Sequence, residues 1–275
     1  MAKHNELMML PDSYTLITGA SLGIGNTMAR YCAGLGMNLA LVSLPNEQLG
    51  KTAEDLAKQY KVKVYFLEID LTESDAPQRV VDWILFENLN INILINNAGL
   101  AGASIFETST LDYIDARILL NIRATVLLTR LFIPILAKNK NSYILNVSSM
   151  AAFYAIPYKS LYSATKSFIL NFSKSIRVEL RGKGIHVSVL CPSGVRSNGV
   201  MHDRMDKHTI FARWAEVTPA EVAKTAIDKM LKHKFLIIPG FFSRLVVSAS
   251  LFVPSSVQER YILHEYRKEV QAGYE

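Results

Sequence analysis

Tyr162 and Lys166 stand four residues apart in a segment whose pattern predicts a helix. Four residues make about one helical turn, so the two side chains project from the same face. A phenol titrates at ~10 in water, and a positive charge beside it favours the phenolate. The pair is therefore a candidate acid/base group near neutral pH. The spacing alone is also typical of an ordinary helix surface, so the rest of the sequence decides between these interpretations.

The composition predicts a globular protein of the cytoplasm. The chain has 275 residues, of which 50% are hydrophobic, enough for a large core. Its two cysteines, Cys32 and Cys191, are too few for a disulfide framework and are predicted to be core residues. Residues 1–12 lack the long apolar run of a signal peptide. No group of histidines and cysteines has the spacing of metal ligands, so no metal is predicted.

The net charge of +6 is concentrated in one part of the chain. Residues 136–184 hold eight Lys or Arg and a single acid, Glu179. Two interpretations remain open: a solvated basic face, or a face that attracts an anionic ligand such as a nucleotide phosphate or an acidic substrate carrier. Aromatic residues do not alternate with the basic ones, and no nucleic-acid motif accompanies them. Nucleic acid is therefore not predicted as a partner.

Short apolar runs alternate with helical patterns along the chain. The predicted strands are 13–18, 38–43, 62–69, 91–95, 142–147, 185–190 and 235–238, and the predicted helices are 26–35, 45–60, 73–88, 110–138, 158–181 and 221–232. Strands that are apolar on both faces and separated by helices are typical of a parallel sheet covered on both sides. The sequence therefore predicts a single α/β domain, a Rossmann-like doubly wound fold of about seven strands.

Three further segments flank or interrupt this core. They are an N-terminal arm at 1–12, a predicted substrate lid at 199–214 and a helical C-terminal extension at 241–275. The apolar run 235–254 is broken by a proline, a glycine and an arginine, which makes it a poor membrane span. Three roles remain open for the extension: it caps the substrate pocket, buries a dimer surface, or contacts a membrane peripherally through 241–253.

Polar and glycine-rich residues follow the predicted strands at their carboxyl ends. They are Thr18 to Gly25 after strand one, Asp70 and Leu71 after strand three, Asn96 to Gly99 after strand four, Ser148 and Ser149 after strand five, and Pro192 to Gly194 after strand six. Ligands of open α/β sheets bind beyond the carboxyl ends of the strands. The sequence therefore predicts one ligand crevice along this edge of the sheet.

The loop after strand one has the composition of a phosphate cradle. Glycines let the backbone turn tightly and approach a pyrophosphate, while the next helix offers free N–H groups and the positive end of its dipole. Gly19, Gly23 and Gly25 give the spacing G-x-x-x-G-x-G, which differs from the common G-x-G-x-x-G fingerprint. Between a strand and a helix, this loop indicates nucleotide binding.

The complete motif set resembles that of the short-chain dehydrogenase/reductase family. The matching elements are TGASLGIG at Thr18 to Gly25, NNAG at Asn96 to Gly99, Asn121, Ser149, and YSATK at Tyr162 to Lys166, and they cover roughly residues 14–197. The resemblance implies hydride transfer between a nicotinamide cofactor and a carbonyl or alcohol carbon. It also implies a homodimer or homotetramer, because helices 110–138 and 158–181 resemble the pair that forms the dimer interface in this family.

The resemblance assigns a role to each of four catalytic residues. Tyr162 would donate a proton to the carbonyl oxygen in reduction, or take one from the alcohol in oxidation. Lys166 would lower the pKa of Tyr162 and hold the ribose hydroxyls of the nicotinamide half. Ser149 would hydrogen-bond the substrate oxygen as charge develops there. Asn121 would hold a water that links Lys166 to solvent, and Ser148 would support the loop.

The same resemblance assigns the cofactor-binding residues. They are Gly19, Ser21, Leu22, Gly23, Ile24 and Gly25 around the pyrophosphate, Asp70 and Leu71 at the adenine, Asn97, Ala98 and Gly99 at the adenosine ribose, and Pro192, Val195 and Ser197 at the nicotinamide, with Tyr162 and Lys166. An acid at the end of strand two would indicate NAD(H), and a base there or in the glycine loop would indicate NADP(H). Ser43, Leu44 and Leu22 supply neither. The missing acid and a phosphate donor in Ser43 favour NADP(H).

The substrate is predicted to be a small-molecule carbonyl or alcohol. Ile105, Phe106 and the segment 151–158 are apolar or aromatic, as is much of 199–214, and this favours a bulky apolar ketone of the steroid or fatty type. Two alternatives remain: a catalytically idle dinucleotide-binding regulatory protein, and a membrane-associated lipid ketoreductase.

Overall fold

The computed structural model describes residues 12–45, 48–194, 217–250 and 252–271. The predicted lid at 199–214 and all of the N-terminal arm except Asp12 lie outside these ranges, as do Val195 and Ser197. The predictions that concern those residues therefore stay predictions.

A seven-stranded, fully parallel sheet forms the centre of the molecule. Its strands are β1 (Ser13–Thr18), β2 (Asn38–Ser43), β3 (Val64–Glu68), β4 (Asn90–Asn96), β5 (Ser142–Val147), β6 (Ile185–Leu190) and β7 (Leu236–Ile237). Their spatial order is β3-β2-β1-β4-β5-β6-β7. The chain changes direction across the sheet between β1 and β4, and this switch point is where a parallel sheet of this type opens a crevice. The predicted fold class is confirmed.

Helices cover both faces of the sheet. They are α1 (Gly23–Gly34), α2 (Leu49–Tyr60), α3 (Ala76–Phe86), α4 (Leu111–Ile118), α5 (Thr125–Leu136), α6 (Ser160–Glu179), α7 (Pro219–Leu231), α8 (Phe241–Ser250) and α9 (Ser255–Gln271). One core contains Cys32 of α1, Leu56 of α2 and Ile227 of α7, and the other contains Ile84 of α3 and Phe132 of α5. The central strands are buried on both faces, which explains why four of them end where their apolar runs end.

The predicted helix 110–138 is in fact three segments. α4 ends at Ile118, a π-helical segment spans Leu119–Ala124, and α5 then continues to Leu136. No residue type is specific to a π-helical turn, so this one could not be predicted from the apolar pattern. Such turns are frequent at functional sites, and this one contains Asn121.

The same run is, by length and composition alone, apolar enough to cross a membrane. Residues Leu111–Leu136 have a mean hydropathy of 1.7 over an 18-residue window, so this run rather than 235–254 is the closest to a span among the described helices. In the fold, Leu128, Phe132 and Leu136 pack into the core on one face of the sheet. About a third of the window, 33%, is buried in the fold, and the buried residues lie in α5 and in the π-helical segment before it.

The C-terminal extension contains two helices with different contacts. Ser243 and Val247 of α8 are buried, and Val247 packs with Val189, Cys191 and Ile238 in a third small core. Gln258 of α9 donates its side-chain amide to the main-chain oxygen of Ser250 at 2.7 Å. Helix α8 is therefore attached to the end of β6, at the edge of the sheet where the predicted site lies.

Candidate active site

Helix α6 carries Tyr162 and Lys166 on one face, as their spacing predicts. Lys166 is 6% exposed; its Nζ donates a hydrogen bond to the main-chain oxygen of Val147 at 3.0 Å and lies 5.8 Å from the centroid of the Tyr162 ring. Burial lowers the pKa of Lys166 to about 8, because the ammonium loses its hydration there. The ammonium is thus fixed beside the phenol and exchanges protons closer to neutral pH than a free lysine does.

The π-helical segment brings Asn121 into contact with this helix. Asn121 Oδ1 accepts the amide of Leu100 at 2.7 Å, and its Nδ2 donates to the Leu100 oxygen at 2.9 Å and to Thr165 Oγ1 at 3.1 Å. Thr165 Oγ1 in turn donates to the main-chain oxygen of Tyr162 at 2.8 Å. A chain of hydrogen bonds therefore joins Asn121 to the turn of α6 that carries Tyr162.

Gly99 lies between the side chains of Asn121 and Lys166, where there is little room for a side chain. A Cβ at this position would lie 3.1 Å from Asn121 Oδ1 and 3.3 Å from Lys166 Nζ, closer than most real Cβ contacts. The last glycine of NNAG therefore allows the amide and the ammonium to face each other across the backbone.

Ser148 and Ser149 follow β5 directly and make different contacts. Ser148 is buried, and its Oγ donates to the main-chain oxygen of Lys166 at 2.7 Å. Ser149 precedes a 3₁₀ turn, Met150–Phe153, and its Oγ accepts the amide of Ala151 at 3.1 Å. That bond uses a lone pair of the Ser149 oxygen and not its proton. The hydroxyl of Ser149 therefore keeps its capacity to donate, while Ser148 anchors α6.

A buried row of polar side chains lies beneath these residues. Asn96 Nδ2 donates to Thr129 Oγ1 at 3.1 Å and to Asn146 Oδ1 at 2.8 Å, and Asn146 Nδ2 donates to Ser173 Oγ at 2.9 Å. The row links β4 and β5 to α5 and α6, and it fixes the helices that carry the site. Thr129, Asn146 and Ser173 were not predicted as site residues, because a single polar residue in an apolar element has no spacing signature.

The glycine loop is closed too tightly for side chains. Gly19 has a φ of +65°, and a Cβ on Gly25 would lie 2.0 Å from the Gly19 oxygen and 2.5 Å from Asn97 Nδ2. The helix begins at Gly23, three residues before the predicted start at 26, so Gly23 and Gly25 form its first turn. The backbone of the loop thus passes directly over the start of α1.

The start of α1 fits a bound pyrophosphate. Its N-cap is Leu22, an aliphatic and 66% exposed side chain that cannot accept from the first-turn amides, and the first turn contains no acid. An anion placed there would accept these amides and meet the positive end of the helix dipole. The predicted residues Gly19 to Gly25 therefore fit the diphosphate of a dinucleotide.

Thr18 connects the glycine loop to the NNAG segment. Its Oγ1 accepts the amides of Asn97 and Ala98, each at 3.0 Å, and Asn97 Nδ2 donates to the oxygens of Thr18 at 2.9 Å and Gly19 at 3.0 Å. The two segments are therefore fixed relative to each other at the switch point. Thr18 was not a predicted site residue, although its position as the last residue of β1 was a usable signal.

The region predicted for the adenosine half is also assembled. Ser43 ends β2, and its Oγ lies 2.7 Å from Ser21 Oγ in the glycine loop. Asp70 Oδ1 accepts both the amide and the hydroxyl of Thr72 at 2.8 Å, which holds the carboxylate in one orientation. Leu71 is buried beside it. The end of β2 therefore lies beside the glycine loop, and the end of β3 lies on the far side of β2.

The segment after Ser149 links the nicotinamide side to the C-terminal extension. Met150 donates its amide to the Pro192 oxygen at 2.9 Å, and Tyr154 Oη donates to Ser250 Oγ of α8 at 3.3 Å. Met150 and Phe153 pack against the small core that holds Val247. Of the three roles left open for the extension, this contact favours a wall of the substrate side.

Comparison with known proteins agrees with this geometry. The model of the short chain dehydrogenase family matches residues 13–208. Very-long-chain 3-oxoacyl-CoA reductase of Anas platyrhynchos is 34% identical over 185 residues, 66% of this chain and 59% of the relative. 17-beta-hydroxysteroid dehydrogenase type 3 of Mus musculus is 35% identical over 185 residues, 66% of this chain and 60% of the relative. The chain spans about 60% of the length of these two relatives.

A solved structure extends the similarity over more of the chain. The short-chain dehydrogenase from Sphingobium yanoikuyae in complex with NADPH is 30% identical, with a TM-score of 0.72, covering 83% of this chain and 88% of that one. The family match includes the glycine loop, Asn121, Ser149, Tyr162 and Lys166. Because the matched residues make up most of the sequence, the resemblance indicated by the motifs is confirmed: the chain belongs to the short chain dehydrogenase family.

Proposed function

We propose that this protein is an NADP(H)-dependent oxidoreductase that interconverts a ketone and a secondary alcohol on a bulky apolar molecule. The observation that carries the proposal is the buried ammonium of Lys166, held at the Val147 oxygen beside the Tyr162 ring. A charged lysine is rarely buried without a functional reason. Here its Nζ lies beside Gly99, in the NNAG segment that is bonded to Thr18 before the glycine loop.

In the proposed reduction, Tyr162 donates a proton to the substrate oxygen and Ser149 donates a hydrogen bond to the same oxygen. The nicotinamide, when bound, supplies the hydride to the carbonyl carbon, so one hydride and one proton convert the ketone to the alcohol. Lys166 stabilises the phenolate that Tyr162 leaves behind. Asn121 orients the backbone around Leu100 and, through Thr165, the turn of Tyr162. Oxidation reverses each proton movement.

The cofactor preference rests on the end of β2. Ser43 is a hydroxyl donor where NAD(H) enzymes of this fold carry an acid, and the following Leu44 adds no negative charge. A 2′-phosphate would therefore meet no carboxylate at the end of β2 itself. The related Sphingobium yanoikuyae enzyme was solved with NADPH, which supports NADP(H) for this chain.

The substrate class rests on the apolar wall and on the named relatives. Ile105 and Phe106 are exposed on the loop after β4, and Phe153 and Tyr154 follow Ser149. The names of the two curated relatives specify a long-chain 3-oxoacyl thioester and a hydroxysteroid. These molecules share a ketone or secondary alcohol on a large hydrocarbon skeleton, and this is the class we propose for the present chain.

We also propose a peripheral contact between α8 and acidic lipid, which would bring such substrates to the enzyme. Phe241 and Phe252 are 70% and 87% exposed at the two ends of this region. Burial and the charges of Arg244 and Lys234 lower the pKa of Lys229, so these three cations lie close to the same surface. Apolar side chains beside clustered cations are typical of a membrane-surface contact.

Flotation with phosphatidylglycerol vesicles tests this contact. The variant carrying Phe241→Ser and Phe252→Ser should lose co-flotation, and phosphatidylcholine vesicles should bind neither protein. Equal recovery of both proteins would contradict the contact and leave the extension as a wall of the pocket or an oligomer surface. Light scattering coupled to gel filtration measures the homodimer or homotetramer that the family resemblance implies.

Tyr162→Phe tests the catalytic proposal. With a panel of steroid, long-chain and aryl ketones and NADPH oxidation as the readout, the variant should lose roughly 10²- to 10⁴-fold in kcat. Tyr261→Phe, at an exposed tyrosine of α9, is the matched control and should retain full activity. Unchanged turnover in Tyr162→Phe would overturn the mechanism. A wild-type protein that binds NADPH but reduces nothing in the panel would instead support the idle binding protein.

A further inference from the structure

Arg117 lies one helical turn before Asn121 and makes an unusual set of contacts. Its Nη2 donates to the main-chain oxygen of Ala101 at 2.9 Å, and its Nη1 donates to the Tyr113 oxygen at 3.0 Å. The guanidinium carbon lies 3.2 Å from the centroid of the Tyr113 ring, a stacked cation–π contact. The guanidinium is therefore fixed between helix α4 and the loop that follows NNAG.

One nitrogen of the Arg117 guanidinium group lacks a hydrogen-bond partner within the described part of the chain. Among the residues that the structure describes, Arg117 Nε is one of three buried side-chain polar atoms without a hydrogen-bond partner. A buried donor without a partner destabilises the folded state. Arg117 Nε therefore has no partner among these residues, while Nη1 and Nη2 bond to the Tyr113 and Ala101 oxygens. An unsatisfied group of this kind points to a functional constraint on the loop.

The loop at 100–104 connects the two halves of the catalytic site. At one end, both backbone groups of Leu100 bond to Asn121. At the other end, the amide of Ser104 donates to the Tyr158 oxygen at 2.7 Å, four residues before Tyr162. Between these anchors, the only side-chain hydrogen bond given to the loop's backbone in the described structure is that of Arg117 to Ala101.

Gly102 makes this contact possible. Its φ is +145°, and a Cβ there would lie 2.7 Å from Arg117 Nη2 and 2.9 Å from Tyr113 Oη. The loop therefore runs directly against the guanidinium and the phenol, at a distance that excludes a side chain.

We propose that Arg117, stacked on Tyr113, is a positioning residue that holds the loop 100–104 as a fixed wall of the substrate site and so sets the affinity for the ketone. The inference rests on the proposed function, because the loop is a substrate wall only if the crevice is catalytic. Lysine cannot replace Arg117: it is a single point donor without the planar fork that bonds two oxygens and stacks on a ring.

Kinetics of Arg117→Lys provide the first test. We expect the KM for the preferred ketone to rise about tenfold, while kcat and the Kd for NADPH stay within about twofold, since Leu100 is still held by Asn121. Arg130→Lys, at an exposed arginine of α5, is the control and should match wild type. Equal losses in kcat and NADPH affinity would show a general structural role and overturn the proposal.

Hydrogen exchange provides a readout that does not depend on activity. Peptides covering 99–106 should exchange faster in Arg117→Lys than in wild type, while peptides of β1 and β5 stay protected. Tyr113→Leu removes the ring on which the guanidinium stacks, so it should give the same exchange and KM changes, and it keeps the proposal testable if Arg117→Lys is unstable. Unchanged exchange in both variants would overturn the proposal that Arg117 holds the loop 100–104, even if the enzyme is active. Faster exchange in variants of a protein that reduces no ketone would support the role of Arg117 in holding the loop, and the proposed function would fail separately.

Discussion

The ammonium of Lys166 and the main-chain oxygen of Val147 lie 3.0 Å apart at the point where β5 meets α6. A main-chain oxygen is a dipole and not a counter-ion, so this bond orients the ammonium without neutralising it. The positive charge therefore remains available to the Tyr162 phenol. Because the ammonium is buried, Lys166 loses its proton at a lower pH than a free lysine does.

The first prediction concerns stability against pH. Burial lowers the pKa of Lys166 from 10.5 to about 8. Between these two values the unfolded chain keeps the proton while the folded protein has lost it, so the unfolded state binds more protons. The free energy of unfolding of wild type should therefore rise with pH from about 8 to 10.5, by roughly 3 kcal/mol at most relative to Lys166→Met.

Urea denaturation of the two proteins at several pH values between 7 and 10 measures this difference. Lys174→Met removes an exposed lysine of the same helix and serves as the control, with a pH dependence like that of wild type. Parallel curves for wild type and Lys166→Met would show that folding leaves the pKa of Lys166 unchanged, which would contradict the prediction.

The second prediction concerns the glycine cradle. Gly25→Ala should weaken NADPH binding at least about tenfold, because its Cβ would overlap the Gly19 oxygen, which is backbone and cannot swing away. Gly182→Ala is the matched control: no atom lies within 4 Å of the added carbon. Fluorescence titration with NADPH measures both. Wild-type affinity in Gly25→Ala would mean that the loop binds the cofactor in another conformation.

The third prediction concerns cofactor choice. Ser43→Asp should weaken NADPH binding about tenfold or more and leave NADH binding equal or stronger, since a carboxylate at the end of β2 repels a 2′-phosphate and accepts from a ribose diol. Leu44→Arg, at an exposed side chain, should shift the preference in the opposite direction. Paired titrations with the two dinucleotides give the ratio. A wild-type preference for NADH would refute the proposed cofactor.

The fourth prediction separates the two arginines on either side of Asn121. Arg123 donates its Nη1 to the Glu73 oxygen at 3.2 Å and its Nη2 to the Ser74 oxygen, in the loop that follows Asp70 and Leu71. Arg123→Lys can keep only one of these bonds, so the Kd for NADPH should rise about threefold to tenfold while the KM for the ketone is unchanged. Arg130→Lys should affect neither constant. A rise in KM without a change in Kd would place Arg123 with the substrate wall.

The sequence predicted the fold and the site motifs to a large extent, for identifiable reasons. β1, β2, β5 and β6 begin and end at the predicted residues, because each is an apolar run with a sharp polar boundary in the middle of the sheet. Edge strand β3 was predicted too long, since its half-exposed residues do not define its ends. The motif residues are recognisable because glycine, tyrosine and lysine at fixed spacing have few other uses.

The tertiary contacts could not be predicted in the same way. The π-helical turn at Leu119–Ala124 contains Asn121, which bonds to the Leu100 backbone, and no residue type in the turn marks it in the sequence. Asn146 and Arg117 bond to groups distant in sequence, and no residue beside them in the sequence marks them. Asn146 bonds to the side chains of Asn96 and Ser173, and Arg117 bonds to the main-chain oxygen of Ala101, so only folding brings these groups together.

The sequence by itself therefore determined which residue types are present for the chemistry, their spacing on α6 and the alternation that makes a parallel sheet. Only the tertiary structure decided that Lys166 is buried, that Asn121 and Lys166 meet over Gly99, and that Arg117 holds the loop 100–104. The physical reason is that spacing along one helix fixes relative direction locally, whereas burial, pKa and loop position depend on groups that only folding brings together.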